Sequence, residues 1–126
     1  MRLLLIVEDD YDTRVTLSAV LAEAGYSVCD AGDAPSALGK LRSLGPDLVL
    51  LDYGLPGPSE GEGFLRAKSK DTLVAATPVI VMSAYVVPST IDGTVAVIQK
   101  PFDVERLLDL IRVVVGPPET PKTDAA

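Results

Sequence analysis

The chain reads as a single α/β domain built on a doubly wound, five-stranded parallel sheet, and two observations predict it. Five short apolar segments recur along it, Leu3 to Val7, Ser27 to Ala31, Leu48 to Leu51, Val79 to Met82 and Val95 to Ile98, with helical patterns or turn-rich loops between them. The first, third and fourth are continuous apolar runs, the pattern of strands buried on both faces, because helices cover both sides of an all-parallel sheet. At 126 residues the chain has room for one core and none for a second folded domain.

The elements follow in order. After Leu3 to Val7, Asp12 or Thr13 can cap a helix whose apolar face holds Val15, Leu17, Ala19, Val20, Leu21, Ala22 and Ala24 until Gly25 stops it. A strand from Ser27 to Ala31 comes next. Asp33 caps a second helix, with Pro35 tolerated in its first turn and Leu38, Leu41 and Leu44 pointing inward before Gly45-Pro46. Leu48 to Leu51 then ends at Asp52, and the turn formers Gly54 to Ser59 lead into a third helix around Glu62 to Thr72. Val79 to Met82 and Val95 to Ile98 supply the last strands. The closing helix carries Val104, Leu107, Leu108, Ile111 and Val115 at helical spacing. Residues 1–115 are expected to form the domain, and 116–126, with three Pro, two Thr and no apolar period, a disordered tail or linker stub.

Composition narrows the chemistry. Eleven basic against eighteen acidic residues give a net charge of -7, which repels phosphate backbones and argues against direct nucleic-acid binding. The single cysteine, Cys29, permits no internal disulfide and is expected to be a small buried hydrophobe. The opening apolar run is five residues long, too short for a signal-peptide core or a spanning helix, so a cytoplasmic chain without membrane insertion is expected. There is no histidine, which excludes imidazole bases and His-containing zinc sites. Any metal must be held by oxygen.

Ligands of such sheets gather outside the carboxyl ends of the strands. There the sequence puts Glu8, Asp9 and Asp10 after the first strand, Asp52 after the third, Ser83 after the fourth and Lys100 after the fifth. Two carboxylates about 5 Å apart repel by about 3 kcal/mol at an effective dielectric of 20. Packing several together therefore calls for a divalent cation and an ammonium such as Lys100. Few hard oxygen ligands, with room for water and a phosphate oxygen, suit Mg2+ better than Ca2+. The set reads as a phosphoryl-transfer site in which the Asp52 carboxylate attacks in line.

The segments Leu4 to Asp10, Leu50-Leu51-Asp52 with Leu55-Pro56, Val81-Met82-Ser83-Ala84 and Gln99-Lys100-Pro101-Phe102 resemble, in order, the signatures of two-component response-regulator receiver domains. The resemblance covers residues 2 to about 115. It implies the flavodoxin-like strand order 2-1-3-4-5. It further implies Glu8 and Asp9 as the metal-holding acid pair, Asp52 as phosphoacceptor and metal ligand, and the backbone carbonyl of Gly54 as another ligand. Ser83 becomes the switch hydroxyl and Lys100 the phosphate-binding lysine, aimed inward by a cis bond to Pro101. The partners implied are a sensor histidine kinase or phosphotransfer protein as donor and a downstream protein target.

Two features depart from the family pattern. Receivers commonly have Tyr or Phe three residues before the lysine, where this chain has Val97. The segment from Ser83 to Lys100 is short, and Pro88 and Gly93 leave it little helical potential, so the helix before the last strand is expected to be shortened or missing. Two other functions stand beside the receiver. One is a non-phosphorylated interaction module that keeps only the shape. The other is a Mg2+-dependent phosphohydrolase, although the acid such enzymes generally place two residues past the nucleophile is here Gly54.

Overall fold

In the computed structural model, which describes residues 2–53, 58–84 and 91–118, the chain runs β1 (Leu3–Val7), α1 (Tyr11–Glu23), β2 (Ser27–Ala31), α2 (Ala34–Leu44), β3 (Leu48–Asp52), α3 (Pro58–Ser69), β4 (Val79–Ser83), β5 (Ala96–Gln99) and α4 (Val104–Val115). All neighbouring strands pair in parallel, and the order across the sheet is β2-β1-β3-β4-β5, as expected. Among the described residues no helix stands between β4 and β5.

The period of two along each strand explains why the apolar runs are unbroken. Leu5, Val7, Val49, Leu51, Val79 and Val81 face one core with α2 and α3. Leu4, Ile6, Leu48, Leu50, Ile80 and Met82 face a second with α1 and α4. From Leu4 to Val7 and throughout β3 and β4, each residue thus buries its side chain on one face or the other, and an alternating polar pattern would have left a face without its layer.

Several local expectations shift. Asp10, rather than Asp12 or Thr13, caps α1, its carboxylate accepting from the Thr13 amide at 2.9 Å and hydroxyl at 2.6 Å. The buried face of α1 is narrower than the apolar residues suggest: Leu17 and Leu21, one turn apart, are buried, while Val15, Ala19 and Ala22 are exposed. α3 starts at Pro58 and ends at Ser69. Thr72 falls instead in a turn where the Leu73 amide donates to Asp71 at 3.1 Å. β4 extends to Ser83 and β5 begins one residue late at Ala96. Cys29 is only partly buried, beside the α2–α3 core. The expected tail starts at Gly116, whose carbonyl accepts from the Tyr26 hydroxyl at 3.1 Å; residues 119–126 lie outside those described.

In α2, Asp33 caps as expected and Gly45 closes the helix in the left-handed conformation (φ 59°), but Leu44 does not point inward. It is 51% exposed, and Ala34, Ala37 and Leu41 make the core face. The two leucines should therefore respond differently to truncation. Leu41→Ala is expected to cost about 2–5 kcal/mol and Leu44→Ala about 0.5 kcal/mol or less, as read by urea unfolding. Equal losses would contradict this packing.

Candidate functional site

The carboxyl ends of β1, β3, β4 and β5 form one edge, and the parallel register decides what stands there. Val7 pairs with Leu51, Asp52 with Met82 and Ser83 with Gln99, so Glu8, Asp52, Ser83 and Lys100 each end or follow a strand at the same level. The Lys100 amide donates to the Ser83 carbonyl at 2.6 Å, and the Lys100-Pro101 bond is cis.

Carboxylate oxygens of Glu8, Asp9 and Asp52 lie within 4.8 Å of one another. Glu8 and Asp52 are buried, 2% and 5% exposed, while Asp9 faces solvent. Lys100 Nζ stands 3.2 Å from Glu8 Oε1 and 3.4 Å from Asp52 Oδ1. The ammonium thus bridges two acids brought from strands far apart in the chain. Ser83 is fully buried at this edge.

Burial first, and then the Asp52 carboxylate, push the Glu8 carboxyl up to about 7, with Lys100 opposing. Burial works against the charge of Lys100, but Asp52 and Glu8 outweigh it and hold its pKa above the ordinary lysine value. Both shifts express one condition, a small buried site with more negative than positive charge. Three converging carboxylates with no nitrogen or sulfur donor fit a hard divalent cation.

The sequence-derived candidates Glu8, Asp9, Asp52, Ser83 and Lys100 thus meet at one edge. Asp10, the third acid of the run, is instead occupied as the α1 cap. Gly54 lies outside the described residues. Val97 is partly buried against the α2–α3 core. On the other side of the sheet edge, a cavity of about 310 Å³ opens from Glu8 and Lys100 between α1 and α4, walled by Leu17, Val20, Met82 and Phe102.

Two further residues stand near the site. Tyr53 is buried behind Asp52, and Gly61 lets α3 approach it, since a Cβ there would come within 2.9 Å of its ring. Arg14 donates to the main-chain carbonyl of Glu8 at 2.8 Å. The one sequence signal for Arg14 is its place in the first turns of the helix that follows the acid run, and a surface arginine fits that equally well.

A flavodoxin-like sheet with an acid cluster and a lysine at its carboxyl edge defines the receiver class. The chain belongs to the response regulator receiver domain family, whose profile matches residues 4–112. It is 33% identical over 114 residues to the sporulation initiation phosphotransferase F of Bacillus subtilis, covering 86% of this chain and 90% of that one. Over 83 residues it is 35% identical to the phosphate regulon transcriptional regulatory protein PhoB of Escherichia coli, where the match spans 66% of this chain and 36% of PhoB. Its fold matches chemotaxis protein CheY4 of Vibrio cholerae with a TM-score of 0.81 at 26% identity, covering 91% and 99% of the two chains. It also matches response regulator TrrA of Thermotoga maritima, solved in complex with Mg2+ and BeF, with a TM-score of 0.79 at 27% identity, covering 91% and 100%.

Proposed function

We propose that this receiver takes a phosphoryl group onto Asp52 from a sensor histidine kinase or phosphotransfer protein, with Mg2+ held by Glu8, Asp9, Asp52 and the backbone carbonyl of Gly54. The observation that carries the proposal is the Lys100 ammonium standing between the carboxylates of Glu8 and Asp52, with Asp9 alongside. The structure of TrrA with Mg2+ and BeF supports the same chemistry for this chain by similarity.

A carboxylate oxygen of Asp52 attacks the phosphorus of the donor's phosphoimidazole. The P–O bond to Asp52 forms as the P–N bond breaks, and the bonding pair leaves with the imidazole nitrogen. Lys100 binds one equatorial oxygen and offsets the charge that develops there. Ser83 donates its hydroxyl to another. Glu8, Asp9 and Asp52 would hold a dication, which would supply positive charge to offset that of the acid cluster and the transferred group. Glu8 must be deprotonated to act as a ligand. The receiver then catalyses only its own phosphorylation and dephosphorylation, in the cytoplasm, and the phosphorylated form engages a downstream protein.

The test is incubation with acetyl phosphate and Mg2+, read by intact mass. A gain of one phosphoryl group, lost in Asp52→Asn and in EDTA, is the expected result. No gain would leave the interaction-module reading, which Val97 and the helix-free described stretch between β4 and β5 favour. Steady turnover of a phosphomonoester would instead revive the phosphohydrolase.

A further inference from the structure

Arg14 has no part in the steps above, yet its guanidinium is held between several groups. Nη1 donates to the Glu8 carbonyl at 2.8 Å, and Nε lies 3.8 Å from Asp30 Oδ2 at the end of β2. The guanidinium carbon sits 5.6 Å from the centroid of the Tyr11 ring. Gly32 closes the remaining side, where a Cβ would stand 2.8 Å from Nη1. The side chain is only 19% exposed.

The carbonyl that Arg14 grips belongs to the peptide unit joining Glu8 to Asp9. Because that unit is planar, fixing its oxygen fixes ψ of Glu8 and with it the position of the Asp9 Cα, from which the Asp9 side chain projects. The Glu8 amide is already tied to the Ala31 carbonyl at 3.0 Å. With the amide held by β2 and the carbonyl by Arg14, both backbone polar groups of Glu8 are held. Asp9, exposed to solvent, depends most on that constraint.

We infer that Arg14 is a positioning residue for the metal-holding turn, aligning Glu8 and Asp9 toward Asp52 through the peptide between them. The inference rests on the Mg2+ role proposed for these acids. It has a sign that sets it apart from a mere charge effect. A cation beside a dication site repels the dication, so electrostatics alone makes removal of Arg14 tighten Mg2+ binding. Loss of positioning weakens it.

Calorimetric titration of Mg2+ at pH 8 separates the two. Arg14→Ala is expected to bind about tenfold more weakly, with acetyl phosphate labelling returning toward the wild-type rate once Mg2+ saturates. Gly32→Ala keeps the positive charge but displaces Nη1, to which a Cβ would come within 2.8 Å, and it should weaken binding in the same direction. Arg14→Lys, which retains a donor without the planar fork, should restore part of the loss. Metal-free thermal unfolding of the three variants checks that each is folded, and Gly32→Ala carries the test if Arg14→Ala is not. Unchanged or tighter binding in Arg14→Ala or Gly32→Ala, beside a wild type that binds, overturns the inference alone. A wild type that takes up no Mg2+ overturns the metal role and the inference with it.

Discussion

Lys100→Met is expected to slow phosphoryl gain at Asp52 by about a hundredfold or more while leaving Mg2+ binding intact or tighter. The ammonium reaches both buried acids, 3.2 Å from Glu8 and 3.4 Å from Asp52, so it stands where charge on the incoming phosphoryl group must be offset. Methionine fills a similar volume without charge, which separates the electrostatic role from packing. Loss of the cation leaves the acid cluster more negative, and a dication gains from that. The rate is read by intact mass against time at saturating Mg2+, and wild-type labelling by Lys100→Met would remove the lysine from the mechanism.

The same variant should lose stability in a pH-dependent way. Because the folded pKa of Lys100 lies above its ordinary value, the stabilisation from its pairing is fully present below that ordinary value and is lost only as pH rises through the higher one. At pH 8 it is intact in the wild type. Its removal should then cost the metal-free chain about 2–3 kcal/mol, less at pH 6, where Glu8 takes up a proton and the repulsion fades. Added Mg2+ should restore much of the difference. Urea unfolding at both pH values, with and without the ion, measures each of these.

How far the sequence foretold this arrangement depends on what kind of signal each part leaves. Strands buried on both faces are readable because every residue from Leu4 to Val7 must be apolar, whichever core it joins. The site was readable for a related reason: a parallel sheet brings strand ends to one edge, so Glu8, Asp52, Ser83 and Lys100 announce themselves by following apolar runs. Helix faces were harder. Val15 and Leu44 are apolar and at plausible spacing, yet both are exposed, because the tilt and rotation of a helix on the sheet decide which residues enter the core. Arg14 was illegible for a different reason. Its role lies in a bond to a main-chain carbonyl, and backbone acceptors have no signature in the identity of the residue that bears them. Choosing Asp10 over Asp12 as the cap likewise turned on chain direction after Glu8, since Asp and Thr are all competent caps.

The apparent affinity for Mg2+ is expected to fall about tenfold between pH 8 and pH 6, and the pH dependence of stability should reverse when the ion is added. Burial and the neighbouring Asp52 raise the Glu8 carboxyl from 4.5 to about 7. The folded, metal-free chain therefore holds that proton more tightly than the unfolded chain does. Between 4.5 and about 7 the contribution of Glu8 to stability declines as pH rises, and above 7 the penalty for burying the charged form is complete. Saturating Mg2+ changes the sign, because the ion binds the deprotonated folded site and is displaced by protons across the same window. Asp10 and Asp71, held below the usual carboxylate range by Thr13 and Arg42, add stability that is lost only below about 3.8, outside that window. Thermal midpoints measured from pH 5 to pH 8, with and without Mg2+, should show slopes of opposite sign in the wild type, and Glu8→Gln should show neither the metal-free decline nor the reversal. A wild-type affinity for Mg2+ that stays flat from pH 8 to pH 6 would mean that Glu8 is already ionised throughout, and that Lys100 compensates the cluster far more completely than its two contacts imply.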